Sequence, residues 1–139
     1  MIATADASFV DDQPGFVPDS NRVRYLSFCG QSSTYHCNVR TLTRDDSGAG
    51  SWADLPVSGP VPPGRDGHFF TYDLETDRVI VFGGYSPSGR LGDTWALALA
   101  ESPARWVHLA DDPGLARING ALASDAPNHR FILWGGTTA

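Results

Sequence analysis

The chain has 139 residues, 41% of them hydrophobic, and a formal charge of −6, enough for one domain with a real core. No apolar run approaches the roughly 20 residues of a membrane span, and the ten basic residues are scattered arginines, which argues against a membrane and against nucleic acid as partners. The opening MIATADASFV has no positive n-region and no continuous apolar stretch, so no export signal is visible; a soluble chain is expected and its compartment stays open.

Fifteen glycines and ten prolines in short clusters favour many turns and short strands over long helices. In chain order, ATADASFVDD (3–12) is a first apolar segment, followed by YLSFCG (25–30), the polar loop QSSTYHCN (31–38), NVRTLT (38–43) and SWADL (51–55). HFFTYD (68–73) then runs through the compact turn DLETD into RVIVF (78–82), a β-branched run closed by Gly83-Gly84. After the loop YSPSGRLGD (85–93), DTWALALAES contains good helix formers. Its Trp95, Leu97 and Leu99 nevertheless alternate with period two, which predicts a strand. RWVHL (105–109), INGALASDAP (118–127) and RFILW (130–134), closed by Gly135-Gly136, complete the series.

These segments repeat. Arg65 and Arg117, Arg78 and Arg130, and the two glycine pairs are each 52 residues apart, while Trp52 and Trp106 are 54 apart. YLSFCG lies over VIVFGG with Cys29 in place of the first glycine, NVRTLT over DTWALA, and SWADL over RWVHL. The chain therefore reads as a unit at about 3–60, a second at 61–110, and the first two segments of a third at 111–139. The register makes 79–82 and 131–134 equivalent strands, expected to be buried on both faces.

The stretch GRDGHFFTYDLETDRVIVFGGYSPSGRLGDTWALALAESPARWVHL (64–109) resembles a kelch repeat of the kind found in bacterial proteins. The likeness rests on the opening Arg, the His-plus-apolar first strand, the closing Gly-Gly, the Asp-x-Trp and the final Trp-x-x-Leu. It is strongest over 61–136 and weaker over 1–60. It implies an all-β fold, a segment of a kelch-type β-propeller in which each unit is one four-stranded antiparallel blade. Propellers have 4 to 8 blades, so the ring is incomplete. Three readings follow: a piece of a longer propeller, an assembly of chains into one ring, or an open stack. Exposed blade faces and the apolar edge of FILWGG (131–136) point to self-association. Trp52 and Trp106 are expected to fill the gaps between blades, and Gly83, Gly84, Gly135 and Gly136 to turn the backbone where side chains would collide.

Function is expected on loops. Tyr35, His36, Tyr85 and Arg90 are the loop side chains best suited to recognition, with solvated loop residues as the plain alternative. Arg65 and Arg117 recur at one repeat position and read as structural hydrogen-bonding or ion-pairing residues, and His68 as a polar packing residue. Cys29, His36 and Cys37 lack an evident fourth zinc ligand, so no metal and no cofactor is expected. A Cys29–Cys37 disulfide and two free thiols both stay open. Kelch-like propellers also occur in copper oxidases of the galactose oxidase type and in iron-dependent specifier proteins, but neither ligand set is found in this chain. The leading expectation is a protein-interaction or scaffolding module with no catalytic residues. The alternative is part of a propeller enzyme or carbohydrate-binding protein, galactose or glyoxal oxidase-like or otherwise sugar-acting, whose catalytic residues lie outside this chain.

Overall fold

Alternating apolar residues and tight turns fold residues 14–138, the part described by this computed structural model, into β-sheets, with no α-helix among the described residues. A first sheet takes β1 (Gly15–Asp19), β2 (Arg24–Gln31), β3 (Tyr35–Arg44) and β4 (Gly50–Asp54) in chain order, each antiparallel to the last. Next come β5 (Val57–Ser58), β6 (Phe69–Asp73), β7 (Arg78–Phe82), a small hairpin of β8 (Tyr85–Ser86) and β9 (Gly89–Arg90), then β10 (Asp93–Ala98) and β11 (Ala104–Asp111). β6, β7, β10 and β11 form an antiparallel second sheet, and β5 lies parallel to its outer strand β11. β12 (Ile118–Asp125) and β13 (Arg130–Thr137) make a final antiparallel pair.

Each sheet opens with a hairpin of one design. An aspartate (Asp19, Asp73, Asp125) pairs with an arginine (Arg24, Arg78, Arg130) across the turn. The residue before that arginine is left-handed each time: Val23 at φ 51°, Asp77 at 50° and His129 at 51°. The three opening strands lie side by side, β6 packing between β1 and β12. The proposed first segment at 3–12 lies outside the described residues. GFVPD is the strand that pairs with β2, and the Asp19–Arg24 spacing was the signal for it. Pro18 is tolerated there because β1 is an edge strand.

The core lies between the four-stranded first sheet and the second sheet, which β5 widens to five strands. Val17, Leu26, Phe28 and Val39 of the first sheet meet Val79, Val81, Leu97 and Trp106 of the second. Trp95, Leu97 and Leu99 are all buried, and so is Ala96 on the other face, so burial of both faces in the sheet overrides the helical bias of the Ala-Leu sequence. Gly83 and Gly84 take φ 61° and 103°, and a Cβ on either would sit 2.7 Å from the Arg117 carbonyl or 2.8 Å from that of Asp66. In the first sheet Cys29 occupies the matching place at φ 52°, where the ladder to β3 slips by a residue. Its Sγ is bonded to that of Cys37, which clamps the two strands of that hairpin together.

Two expectations need correction. Residues 79–82 are buried throughout, but 131–134 are not: Phe131, Ile132 and Trp134 are 41%, 47% and 79% exposed. No strand among the described residues pairs with the outer edge of β13. Trp106 is fully buried with its ring 4.8 Å from that of Phe28 across the inter-sheet gap. Trp52 is only half-buried, beside Phe16 and under the Arg40 guanidinium at 5.4 Å. It fills no gap between sheets, because its face of the first sheet has no neighbouring sheet among the described residues.

Candidate functional site

The antiparallel order brings three connections to one end of the sheets: the β2–β3 turn, the loop before β6, and the loop between β7 and β10. Gly30 N–H donates to the Arg65 carbonyl at 3.1 Å, and Gly64 lies directly against the Tyr35 backbone. Asp66 and Tyr85 exchange both backbone hydrogen bonds, at 3.0 and 2.9 Å. Within the small hairpin Tyr85 stands opposite Arg90. Partial burial first, then the negative charge of Asp66 and the neighbouring Tyr85, push the Tyr35 phenol above its ordinary value.

Tyr35, Tyr85 and Arg90, named from two loops in the sequence, thus share one surface. Tyr85 and Arg90 are exposed and Tyr35 is half-buried. His36 stands beside them, half-buried, its Nδ1 3.1 Å from the Gly30 carbonyl oxygen. Sequence reasoning missed Asp66, the carboxylate among the aromatics; the Asp-Gly turn signal in GRDGH was its only trace. The arrangement sets two phenols and a guanidinium on one surface, with the half-buried Asp66 beside them. No group of three or more His, Cys, Asp or Glu gathers among the described residues in a way that could hold a metal ion.

Beneath this surface Arg65 is fully buried. Its Nε donates to the Pro63 carbonyl at 3.1 Å and its Nη1 to that of Gly83 at 2.8 Å. Both terminal nitrogens grip Asp93 at 2.6 and 2.7 Å, and the Trp95 indole donates to the same carboxylate at 2.6 Å. Burial works against the Asp93 charge, but the Arg65 bonds and charge outweigh it and hold this carboxyl below its usual range. Arg65 is therefore a structural tie. His68 stands edge-on to Phe28 and Phe70. Both its ring nitrogens are buried with no hydrogen-bond partner. Burial, and secondarily the Arg65 charge, push its pKa down to about 3.

At the opposite end a polar network crosses between the first and second sheets. Arg22 donates to Asp77 at 2.9 and 2.7 Å and to the Leu99 carbonyl at 2.8 Å, while Arg24 donates to Asp19 at 2.8 Å. The Arg22 bonds hold Asp77 down at about 2, and burial followed by a bond to Asp77 pushes Tyr72 up to about 12. Arg22 and Arg24 line a cleft of about 350 Å³, where both terminal nitrogens of Arg22 are bonded to Asp77 and Arg24 Nε to Asp19. The tyrosine-bearing end is thus the better candidate. No protein-family model matches the chain, and no curated protein matches it.

Proposed function

We propose that this chain is a segment of a kelch-type β-propeller acting as a protein-interaction module, and that it binds through the loop end bearing Tyr35, Asp66, Tyr85 and Arg90. Three opening hairpins of one design, with β1, β6 and β12 side by side, support blades arranged around an axis. So do the 52-residue anchors, because one twisted blade cannot bury both its faces alone. The observation that carries the functional reading is the convergence of exposed Tyr85 and Arg90 with Tyr35 and Asp66. Aromatic and guanidinium side chains are the groups that dominate protein-binding hot spots.

The test pairs the unaltered chain with Tyr85→Ala and Arg90→Ala. Tyr85→Ala should change unfolding free energy by no more than about 0.5 kcal/mol, as surface substitutions do. A partner crosslinked to the unaltered chain, and lost with both variants while they remain folded, supports the reading. A partner retained equally by both overturns it. Saturable binding of a sugar, or copper or iron bound to the purified protein, favours the enzyme or carbohydrate-binding alternative instead.

A further inference from the structure

We propose that the cleft between the first and second sheets, at the end away from the tyrosine-bearing loops, binds a carboxylate carried on a small apolar body, and that the terminal nitrogens of Arg24 receive the carboxylate. The proposal concerns a different site from those loops and does not rest on them.

The lining of the cleft comes from the first two sheets and their connections. Arg22 lies in the β1–β2 turn and Arg24 opens β2. Leu55 and Pro56 join β4 to β5, residues 99–103 join β10 to β11, and Ala104 opens β11. Along β2, Arg24 has the same parity as Leu26 and Phe28, which are fully buried in the core between the sheets. Its side chain therefore leaves the strand on the face turned to the second sheet. The walls are apolar where the core reaches them: Leu99 and Ala104 belong to the buried cluster, and Leu55 packs against it.

The two guanidiniums are not equivalent. Arg22 is fully engaged, Nη1 with Asp77 at 2.9 Å and Asp19 at 3.2 Å, Nη2 with Asp77 at 2.7 Å and the Leu99 carbonyl at 2.8 Å. Arg24 donates through Nε alone, to Asp19 at 2.8 Å. Neither of its terminal nitrogens has a hydrogen-bond partner among the described residues, although the side chain is only 17% exposed. Asp19 thus fixes the guanidinium from one side and leaves the edge between Nη1 and Nη2 open, the edge with which arginine takes both oxygens of a carboxylate.

The carboxylates around the cleft are already engaged. Asp19 is fully buried between Arg22 and Arg24, Asp77 is held by Arg22 and the Tyr72 hydroxyl, and Glu101 on the rim takes the Arg105 Nε at 2.8 Å. Arg22, Arg24 and Arg105 offset Asp19, Asp77 and Glu101, so attraction from a distance is weak and selectivity rests on the open fork. A volume of about 350 Å³ lies at the low end of small-ligand sites, about 300–1,000 Å³, and exceeds the roughly 150 Å³ that admits benzene. One aromatic ring on a short acid chain suits it, either as a free acid or as an apolar residue at the carboxyl end of a peptide.

The probe is phenylacetate, titrated into the isotope-labelled full chain and followed by amide chemical shifts. Saturable shifts are expected at Leu55, Leu99, Ala100 and Ala104, with a dissociation constant of about 1 mM, the order that so few ligand atoms supply. Phenylacetamide, which keeps the shape and loses the charge, should bind at least about ten-fold more weakly. Acetate, which keeps the charge and loses the ring, should also bind at least about ten-fold more weakly. Arg24→Lys keeps a charge for Asp19 but has no fork, and should reduce the preference for acid over amide to about two-fold or less. Tyr85→Ala should leave binding unchanged. Gly-Gly-Phe with a free carboxyl end separates the sources: displacement of phenylacetate at equal concentration assigns the site to chain termini, and its failure assigns the site to free acids. No saturable binding, equal binding of acid and amide, or shifts confined to other surfaces would overturn the proposal. Because the acid–amide comparison uses the unaltered chain, it decides the matter even if Arg24→Lys fails to fold.

Discussion

Replacing Trp106 with alanine tests the packing between the first and second sheets. The residue is fully buried and its ring lies 4.8 Å from that of Phe28 on the opposite sheet. A tryptophan buries about 150–250 Å², which at about 25 cal/mol per Å² gives an upper estimate of about 4–6 kcal/mol. Measured large-to-small core changes of this kind cost about 3–5 kcal/mol. One feature of the site lowers the figure: the Trp106 indole N–H is buried with no hydrogen-bond partner, and its removal relieves part of a desolvation penalty of about 1–3 kcal/mol. We expect Trp106→Ala to cost about 3 kcal/mol, at the low end of the range. Trp106→Phe keeps most of the apolar contact and deletes the orphan donor, so it should cost less than about 1.5 kcal/mol. Trp52, its counterpart one unit earlier, is half-buried, and Trp52→Ala should cost about 1 kcal/mol. Urea unfolding followed by far-UV circular dichroism separates these, since slopes of about 1–3 kcal/mol per molar urea turn 3 kcal/mol into a midpoint shift of about 1–3 M. Equal shifts for Trp52→Ala and Trp106→Ala would refute the reasoning, because sequence position would then matter and inter-sheet burial would not.

Two further outcomes follow from the same core. His68 has its pKa pushed down to about 3, so between the ordinary histidine value near 6.5 and about 3 the unfolded chain binds a proton that the folded chain refuses. Stability therefore falls as pH drops through that window, by about 1.4 kcal/mol per pH unit at most. His68→Phe should shrink the loss between pH 7 and pH 5 by about 2 kcal/mol, and an unchanged pH profile in calorimetry would contradict the buried, neutral imidazole. The Cys29–Cys37 bond closes a loop with a sequence separation of 8. On the chain-entropy account its reduction should lower stability by about 2.5 kcal/mol. Two titratable thiols in the unreduced native chain, or an unfolding midpoint indifferent to reductant, would count against the bond.

The longer strands from β2 onward were legible in the sequence because each of them carries a local signal. Period-two alternation made β10 a strand despite its alanines and leucines, and the 52-residue spacing placed Arg65, Arg117 and both glycine pairs in one register. GFVPD was not read as a strand because it is short and contains proline, and only its Asp19–Arg24 hairpin repeats the pattern clearly. What the tertiary structure decided is which neighbour covers which face. Trp52 and Trp106 are the same residue at the same repeat position, yet one is half-exposed and the other fully buried. RVIVF and RFILW are near-identical in pattern, yet β7 is enclosed while β13 pairs only with β12 among the described residues. Burial is a long-range property: it depends on sheets brought together across 50 residues of chain, and nothing within a strand encodes the presence of the next. The same holds at the loop end, where Asp66 joins Tyr35 and Tyr85 only because adjacent sheets set their turns side by side.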